Sequence, residues 1–272
     1  MAKFIYLFFL LILSTFYSIY CYAQSGNEII EYSTKVDVKY SVIVEEKSFL
    51  IQINDQFSDW ISDIQIPFNQ SEKIEILESS IIGMDGKVLR TLKRKEIETL
   101  SDIPYGTLYE DSFVKRFSLK WDQYPYRIRY RYRSKAFHFL NAANWTPLVY
   151  LNVPVKKAKL VVELPEEYKV KIKQSQGLDY DLEKNNGKLR YEWVVENILP
   201  VKQEMFAPPL AEVIPSVTVS PESFLYDSEG SRESWQTYGQ WVSNLNQGLD
   251  ELTPSEKSNV DLLTLIKGYL NI

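Results

Sequence analysis

The chain has 272 residues, 31 basic and 36 acidic side chains, a formal charge of −5, 45% hydrophobic and 14% aromatic content, one cysteine and one histidine. That apolar and aromatic content excludes a disordered chain, and the acidic balance argues against a general nucleic-acid binder. Cys21 and His138 are too few for the thiol–imidazole pairs, serine–histidine pairs or Cys/His metal sites behind most nucleophilic and metal-assisted hydrolysis.

Met1 to Ala23 reads as a secretory signal. Lys3 is the positive flank, Phe4 to Tyr20 the apolar run, and Cys21-Tyr22-Ala23 a cleavage site with a small residue at each end. The expectation is an exported protein of the periplasm or cell envelope. Two other readings use the same residues: an uncleaved anchor over Phe4 to Ala23, and lipidation at Cys21, which bulky Tyr20 disfavours. Losing residues 1–23 leaves 249 residues and, with Lys3 gone, moves the charge from −5 to −6. No later stretch reads as a membrane span. A single cysteine makes no internal disulfide, so packing must stabilise the fold.

From about Glu31 to Val195 the hydrophobic period is two. Val36, Val38, Tyr40, Val42 and Val44 form a first alternating run; Phe49, Ile51 and Ile53 form the next. Asp85-Gly86 supplies a tight hairpin turn before Val88 and Leu89. Phe117, Leu119 and Trp121 alternate, then Tyr126, Ile128, Tyr130 and Tyr132. Ala158 to Leu164 and Tyr168 to Ile172 continue the pattern, and Asn186-Gly187 turns into Leu189, Tyr191, Trp193 and Val195. These are half-buried strands, so the fold class is mainly β, with antiparallel sheets packed as a sandwich.

The domain reading is a signal over 1–23, a β-rich domain over 24–199, a Pro-rich extended strap over 200–229 and a two-helix element over 230–272. Pro200, Pro208, Pro209, Pro215 and Pro221 punctuate the strap, which is expected to run along a surface. Trp235, Tyr238, Trp241, Val242 and Leu245 fall at helical spacing, as a packing stripe against that strap rather than a sugar-stacking platform. Thr253-Pro254-Ser255-Glu256 is a capping box opening a second helix, with Leu262, Leu263, Ile266, Tyr269 and Leu270 on its apolar face. That face needs a cover: the first helix and the sheets, or a further domain.

The run Phe206 to Pro215, Ser234 to Trp241 and Asn244 to Leu252 resembles the junction in exported bacterial transglutaminase-like proteins, a family common in Bacteroidetes. The proline-terminated strand Leu160 to Pro165 is similar to one in their β-rich front domain. The resemblance implies the domain of unknown function that precedes a papain-like core, either from a truncated gene or as a module acting alone. It implies no catalytic residue in this chain, since the family's Cys, His and Asp belong to the core. The implied partner is such a core or another envelope protein.

One constellation suggests binding. Arg127, Arg129, Arg131 and Arg133 sit at spacing two, on one face of a strand and roughly 6.6 Å apart. Guanidinium forks suit carboxylates, phosphates and sulfates, so the ladder is a candidate site for an acidic glycan or peptide, which Arg116 and Lys120 would widen. The plainer reading pairs these arginines with acids on neighbouring strands. His138, beside Phe137 and Phe139, reads as a packing residue. Asp179, Asp181 and Glu183 mimic the start of a calcium loop, but Lys184 and Arg190 occupy the turn-glycine and closing-glutamate positions. Glu110-Asp111 is an isolated acidic pair. Asn69 and Asn144 match the glycan-acceptor pattern by chance, and Gly-x-Ser-x-Gly is absent. No cofactor, metal or nucleic acid is expected. The function expected is a scaffold or interaction module; the rivals are an acidic-polymer binder and an enzyme in its own right.

Overall fold

A computed structural model describes residues 26–39, 42–102, 112–137, 139–201, 207–226 and 228–246. Cys21, His138, Glu110, Asp111 and the expected second helix lie outside those residues.

The strands run in order β1 (Glu28–Lys39), β2 (Val42–Ile53), β3 (Asp63–Asn69), β4 (Glu72–Ile82), β5 (Val88–Thr91) and β6 (Glu98–Ser101). Next come β7 (Ser112–Ser118), β8 (Tyr126–Ala136), β9 (Ala143–Trp145), β10 (Val155–Pro165) and β11 (Val170–Gln174). The last are β12 (Asp181–Asn185), β13 (Lys188–Ile198), β14 (Val217–Pro221), β15 (Ser223–Tyr226) and β16 (Ser228–Ser231). A short helix α1 (Leu210–Val213) precedes β14, and α2 (Trp235–Asn246) follows β16. None of the helices described is long and apolar enough to cross a membrane.

Eight strands form one sheet in the order β12-β13-β10-β1-β2-β8-β4-β5. Two three-stranded sheets, β3-β7-β6 and β11-β14-β9, contribute to the same core, and β15-β16 is a separate hairpin. The fold is mainly β, as the period of two requires. One pairing departs from the antiparallel expectation: β1 runs parallel to β10, with Thr34 opposite Leu160 and Val36 opposite Val162. The first alternating run is also two strands, not one, with β1 and β2 paired antiparallel. The apolar alternation of Val38, Tyr40, Val42 and Val44 runs on in the sequence, but the buried face changes phase between the strands: Val36 and Val38 face the core on β1, whereas Ile43 does so on β2 and Val42 and Val44 are only half-buried.

The core follows from register, because directly opposed residues share a face. Val36, Ile51, Ile128, Leu160, Val162 and Trp193 are fully buried, and Phe117, Trp145 and Val219 of the small sheets join them in one cluster. Each such aliphatic side chain contributes roughly 1.5–3 kcal/mol by leaving water. Both expected turns are present, with Gly86 at φ 83°, Asn186 at 51° and Gly187 at 73°. The Pro-rich strap differs from expectation. It does not stay on the surface, because β14 is the middle strand of its sheet and Val217 and Val219 are fully buried. Its prolines sit at the strand end or outside it, so the ladder of hydrogen bonds survives.

Three carboxyl groups tie the sheets to charge. Burial raises the Asp37 carboxyl, but Lys39 and Lys188 outweigh it and hold the group below its usual range. Burial likewise raises Asp63, and Lys120 and Ser118 bring it lower. Glu192 is lowered chiefly by its hydrogen bond with Lys159. Depressed folded values mean this stabilisation is complete above the unfolded carboxylate range near about 4 and is lost as pH falls through the folded values. The urea midpoint is therefore expected to be flat from about pH 7 to 5 and to fall below about pH 4. A midpoint that rises on acidification across that lower range contradicts this.

Candidate functional site

Three places in the fold could support function: the outer face of the large sheet, a polar cluster on its inner face, and the junction where α2 meets the β15-β16 hairpin.

The arginine ladder lies on the outer face of β8, with Arg129, Arg131 and Arg133 exposed. All four arginines are already partnered. Arg127 donates to Gln52 Oε1 at 3.2 Å, and Arg129 lies 3.8 Å from Glu78. Arg131 and Arg133 both reach Glu46, at 3.2 and 3.1 Å, and Arg133 also meets Glu75 at 3.6 Å. The alternation of sign continues across the sheet. Lys35 opposes Glu46 in register and pairs with Glu163 at 3.1 Å, which lies 3.8 Å from Arg190. Arg190 in turn pairs with Glu183 on β12. These are cross-strand pairs between solvated charges, individually worth little but mutually neutralising. The expected widening of the ladder is corrected: Arg116 belongs to a different sheet, and Lys120 pairs with Asp63 at 2.9 Å. The calcium-like acids are placed by β12 and the residues before it, with Glu183 held by Arg190. Among the described residues no group of three or more His, Cys, Asp or Glu could hold a metal.

The inner-face cluster is absent from any alternation reading. Register places Glu45 and Lys47 of β2 on the core side, opposite Val36 and Thr34. They pair with each other at 2.9 Å. Burial lowers the Lys47 ammonium, but Glu45 and the Tyr132 and Tyr32 hydroxyls outweigh it and hold its pKa above the usual value. A lysine kept charged is no nucleophile at neutral pH. Burial pushes the Tyr132 phenol up to about 12. Tyr32 stacks on Phe49 at 4.8 Å and accepts from the Thr34 hydroxyl at 3.0 Å.

The junction is built from α2 and the hairpin. Ser234 caps the helix: its Oγ accepts from Thr237 N at 3.1 Å, while the Thr237 hydroxyl oxygen accepts from Ser234 N at 3.1 Å. The helical spacing from Trp235 marked the helix but not this cap, which Ser234 and Thr237 three residues on could have signalled. Trp241 is 7% exposed and meets Phe224 edge-on at 4.9 Å, with Tyr238 5.5 Å away. Gly230 of β16 permits that contact, because a Cβ there would lie 2.4 Å from Phe224 Cε2 and 2.9 Å from Trp241 Cδ1. Arg232 locks the assembly. Its guanidinium lies 4.8 Å over the Phe224 ring and donates to Leu140 O at 2.5 Å and Asn141 Oδ1 at 3.3 Å. The expected aromatic stripe therefore packs at two of its three positions, since Trp235 is 87% exposed.

Beside the junction lies an open groove of about 1040 Å³. Its wall carries Glu167, Glu222, Glu229 and Glu233, one lysine, Lys169, and the ring of Trp241. The indole Nε1 of Trp241 is buried and has no hydrogen-bond partner. Sequence reasoning missed this site because its acids are scattered over sixty-odd residues with no fixed spacing.

Comparison with solved structures shows the same fold in a candidate protease from Parabacteroides distasonis, at TM-score 0.64 and 15% identity over 71% of this chain and 40% of that one. The chain thus spans 40% of the length of that structure. An M1 zinc metallopeptidase from Deinococcus radiodurans aligns at TM-score 0.31 and 8% identity, over 72% of this chain and 42% of that one. An aminopeptidase A from Legionella pneumophila aligns at TM-score 0.38 and 10% identity, over 72% and 21% respectively. Neither of the latter two is close enough to support a comparison. A search of curated proteins finds no match. Residues 30–202, β1 through β13, match the model of DUF3857, a domain of unknown function with solved structure, and the chain belongs to that family.

Proposed function

We propose that the chain is a non-catalytic, exported β module that carries the start of a transglutaminase-like core in a fixed orientation. The observation that carries this reading is the docked junction: Trp241 of α2, buried edge-on against Phe224 of the hairpin. An accessory domain acts by presenting its neighbour rigidly. Ring packing, the Ser234 cap and the Arg232 clamp together provide that rigidity. The likeness of residues 206–252 to the junction of transglutaminase-like proteins supports the same conclusion. So does the greater length of the candidate protease that shares the fold, which leaves room there for a separate core.

Non-catalysis has a direct test. Purified chain is incubated with a glutamine-containing peptide and a fluorescent primary amine, and separately with casein. Neither amine incorporation nor casein cleavage is expected. Turnover that co-elutes with the chain through successive columns contradicts the reading.

A second reading has its own support: Arg129, Arg131 and Arg133 stand 44–47% exposed on an open sheet face. On that reading the ladder binds an acidic envelope polymer, and Glu46 competes for it. Retention on an immobilised acidic glycan would then be salt-sensitive and would be lost in the Arg129→Ala/Arg131→Ala variant. Equal retention of the variant sinks this second reading.

A further inference from the structure

We propose that β4 carries a homodimer interface, its open edge pairing antiparallel with the same edge of a second copy of this chain. The first observation is the edge itself. β4 pairs with β8 from Glu72 to Ile82, but on its other side β5 reaches only Ser80, Ile81 and Ile82, and Leu92 N donates to Ser79 O. From Glu72 to Glu78 no described strand pairs with that side. A row of backbone donors and acceptors therefore stands open to a further strand. A groove of about 760 Å³ runs beside it, between residues 74–80 and a wall that carries Leu92, Arg94, Ile97 and Lys115. A bulge at Leu77 ends the straight segment, which leaves Glu72 to Ile76 for pairing.

The second observation is the charge along that segment. On the outer face Lys73 stands opposite another cation, Lys135 of β8, and makes no ion pair with a described residue. Both ammonium groups lie near the Phe137 ring, at 6.0 and 4.9 Å from its centre. Like charges directly opposed repel, so an acid arriving on the open side of Lys73 relieves the pair. Glu75 is 67% exposed, and its ion pair with Arg133 spans 3.6 Å.

Laid antiparallel on itself about Ile74, the segment is self-complementary. Lys73 of each copy lies opposite Glu75 of the other, Ile74 opposite Ile74, and Ile76 opposite Glu72. Such a pairing is isologous, as a two-fold axis requires. The same charges fix the register. A slip of two residues one way sets Lys73 on Lys73, and the other way sets Glu75 on Glu75. A slip of one residue turns the incoming isoleucines to the outer face. In the matched register Glu72, which has no ion pair with a described residue, enters the other copy's groove beside Ile76. Arg94 and Lys115 stand on the far wall there, also without an ion pair to a described residue.

The opposite edge of the sheet lacks this property. On β12, self-pairing centred on Leu182 sets Asp181 on Glu183, and centring on Glu183 or Lys184 sets that residue on itself. Each of those registers opposes like charges.

So short a ladder makes a weak dimer that forms as concentration rises. Sedimentation velocity of the purified chain at low salt reads it, and the parent is expected to pass from monomer to dimer below about 1 mM. Lys73→Glu and Glu75→Lys each oppose like charges twice across the two-fold axis. Each should raise the dimer Kd at least about tenfold, equivalent to about 1.4 kcal/mol. An equimolar mixture of the two single variants should dimerise again, because each supplies the charge the other lacks. The double variant Lys73→Glu/Glu75→Lys should recover for the same reason. Lys184→Glu, on the opposite edge, should leave the Kd unchanged. Circular dichroism verifies that each variant folds. A parent chain that stays monomeric throughout, a dimer that Lys73→Glu or Glu75→Lys leaves intact, or failure of both the mixture and the double variant to recover would each overturn the proposal.

Discussion

Trp193→Ala is expected to be the most damaging single truncation in the chain, costing about 3–5 kcal/mol of stability. Trp193 is fully buried on β13, where it opposes Leu160 of β10. Its indole donates to Gln174 Oε1 at 2.9 Å, and its ring lies 5.2 Å from Tyr180 and 6.1 Å from Tyr191. Truncation opens a cavity in the core beneath β13, next to the edge strand of a sheet that packing alone must stabilise. Domains of this kind are stable by only about 5–15 kcal/mol, so a large share of the total is at stake. Urea unfolding followed by far-ultraviolet circular dichroism measures it. Trp193→Phe should cost much less, since it keeps most of the volume. A loss below about 1 kcal/mol for Trp193→Ala would mean the site relaxes in a way this packing does not allow.

Gly230→Ala is expected to have the largest effect on the junction while leaving the large sheet intact. The new methyl group would sit 2.4 Å from Phe224 Cε2, a ring atom that is itself buried. Neither Phe224 nor Trp241 is a flexible tip that could swing aside cheaply. Overpacking of this kind costs about 1–3 kcal/mol, concentrated where the clash occurs. The expected signature is a red-shifted tryptophan emission and reduced near-ultraviolet dichroism from the Trp241–Phe224 pair, with far-ultraviolet strand signal preserved. Unchanged near-ultraviolet spectra would show that the rings are not in contact in solution.

Much of the fold was legible because half-buried strands leave a period of two. Phe117 and Leu119, Ile128 and Tyr130, and Leu160 and Val162 all face the core as that period requires. Asp85-Gly86 and Asn186-Gly187 marked their turns because few other residues take the left-handed backbone. The parallel pairing of β1 with β10 was not legible, since it joins segments more than a hundred residues apart and leaves no local mark. Glu45 and Lys47 broke the pattern for a physical reason: they point inward, but each supplies the other's counter-charge. The strap concealed β14 because five prolines punctuate it, while Val217 and Val219 are buried in the core and Val201 and Ile214 pack against it. Of the candidate sites, the arginine ladder was visible as a spacing, and so was the option that acids pair with it. The groove was not, because its carboxylates come from the turn after β10, the bend before β15, β16 and the start of α2, and only folding brings them together.

The docked helix is the point on which the functional reading turns. Hydrogen exchange read by mass spectrometry over residues 235–246, beside the β15-β16 hairpin in the same sample, tests it most directly. The account predicts that α2 amides are protected to about the same degree as those of the hairpin, and that Gly230→Ala removes the protection from α2 while β10 and β13 retain theirs. Exchange of α2 at the rate of an isolated helix in the parent chain, with the hairpin fully protected, would contradict it.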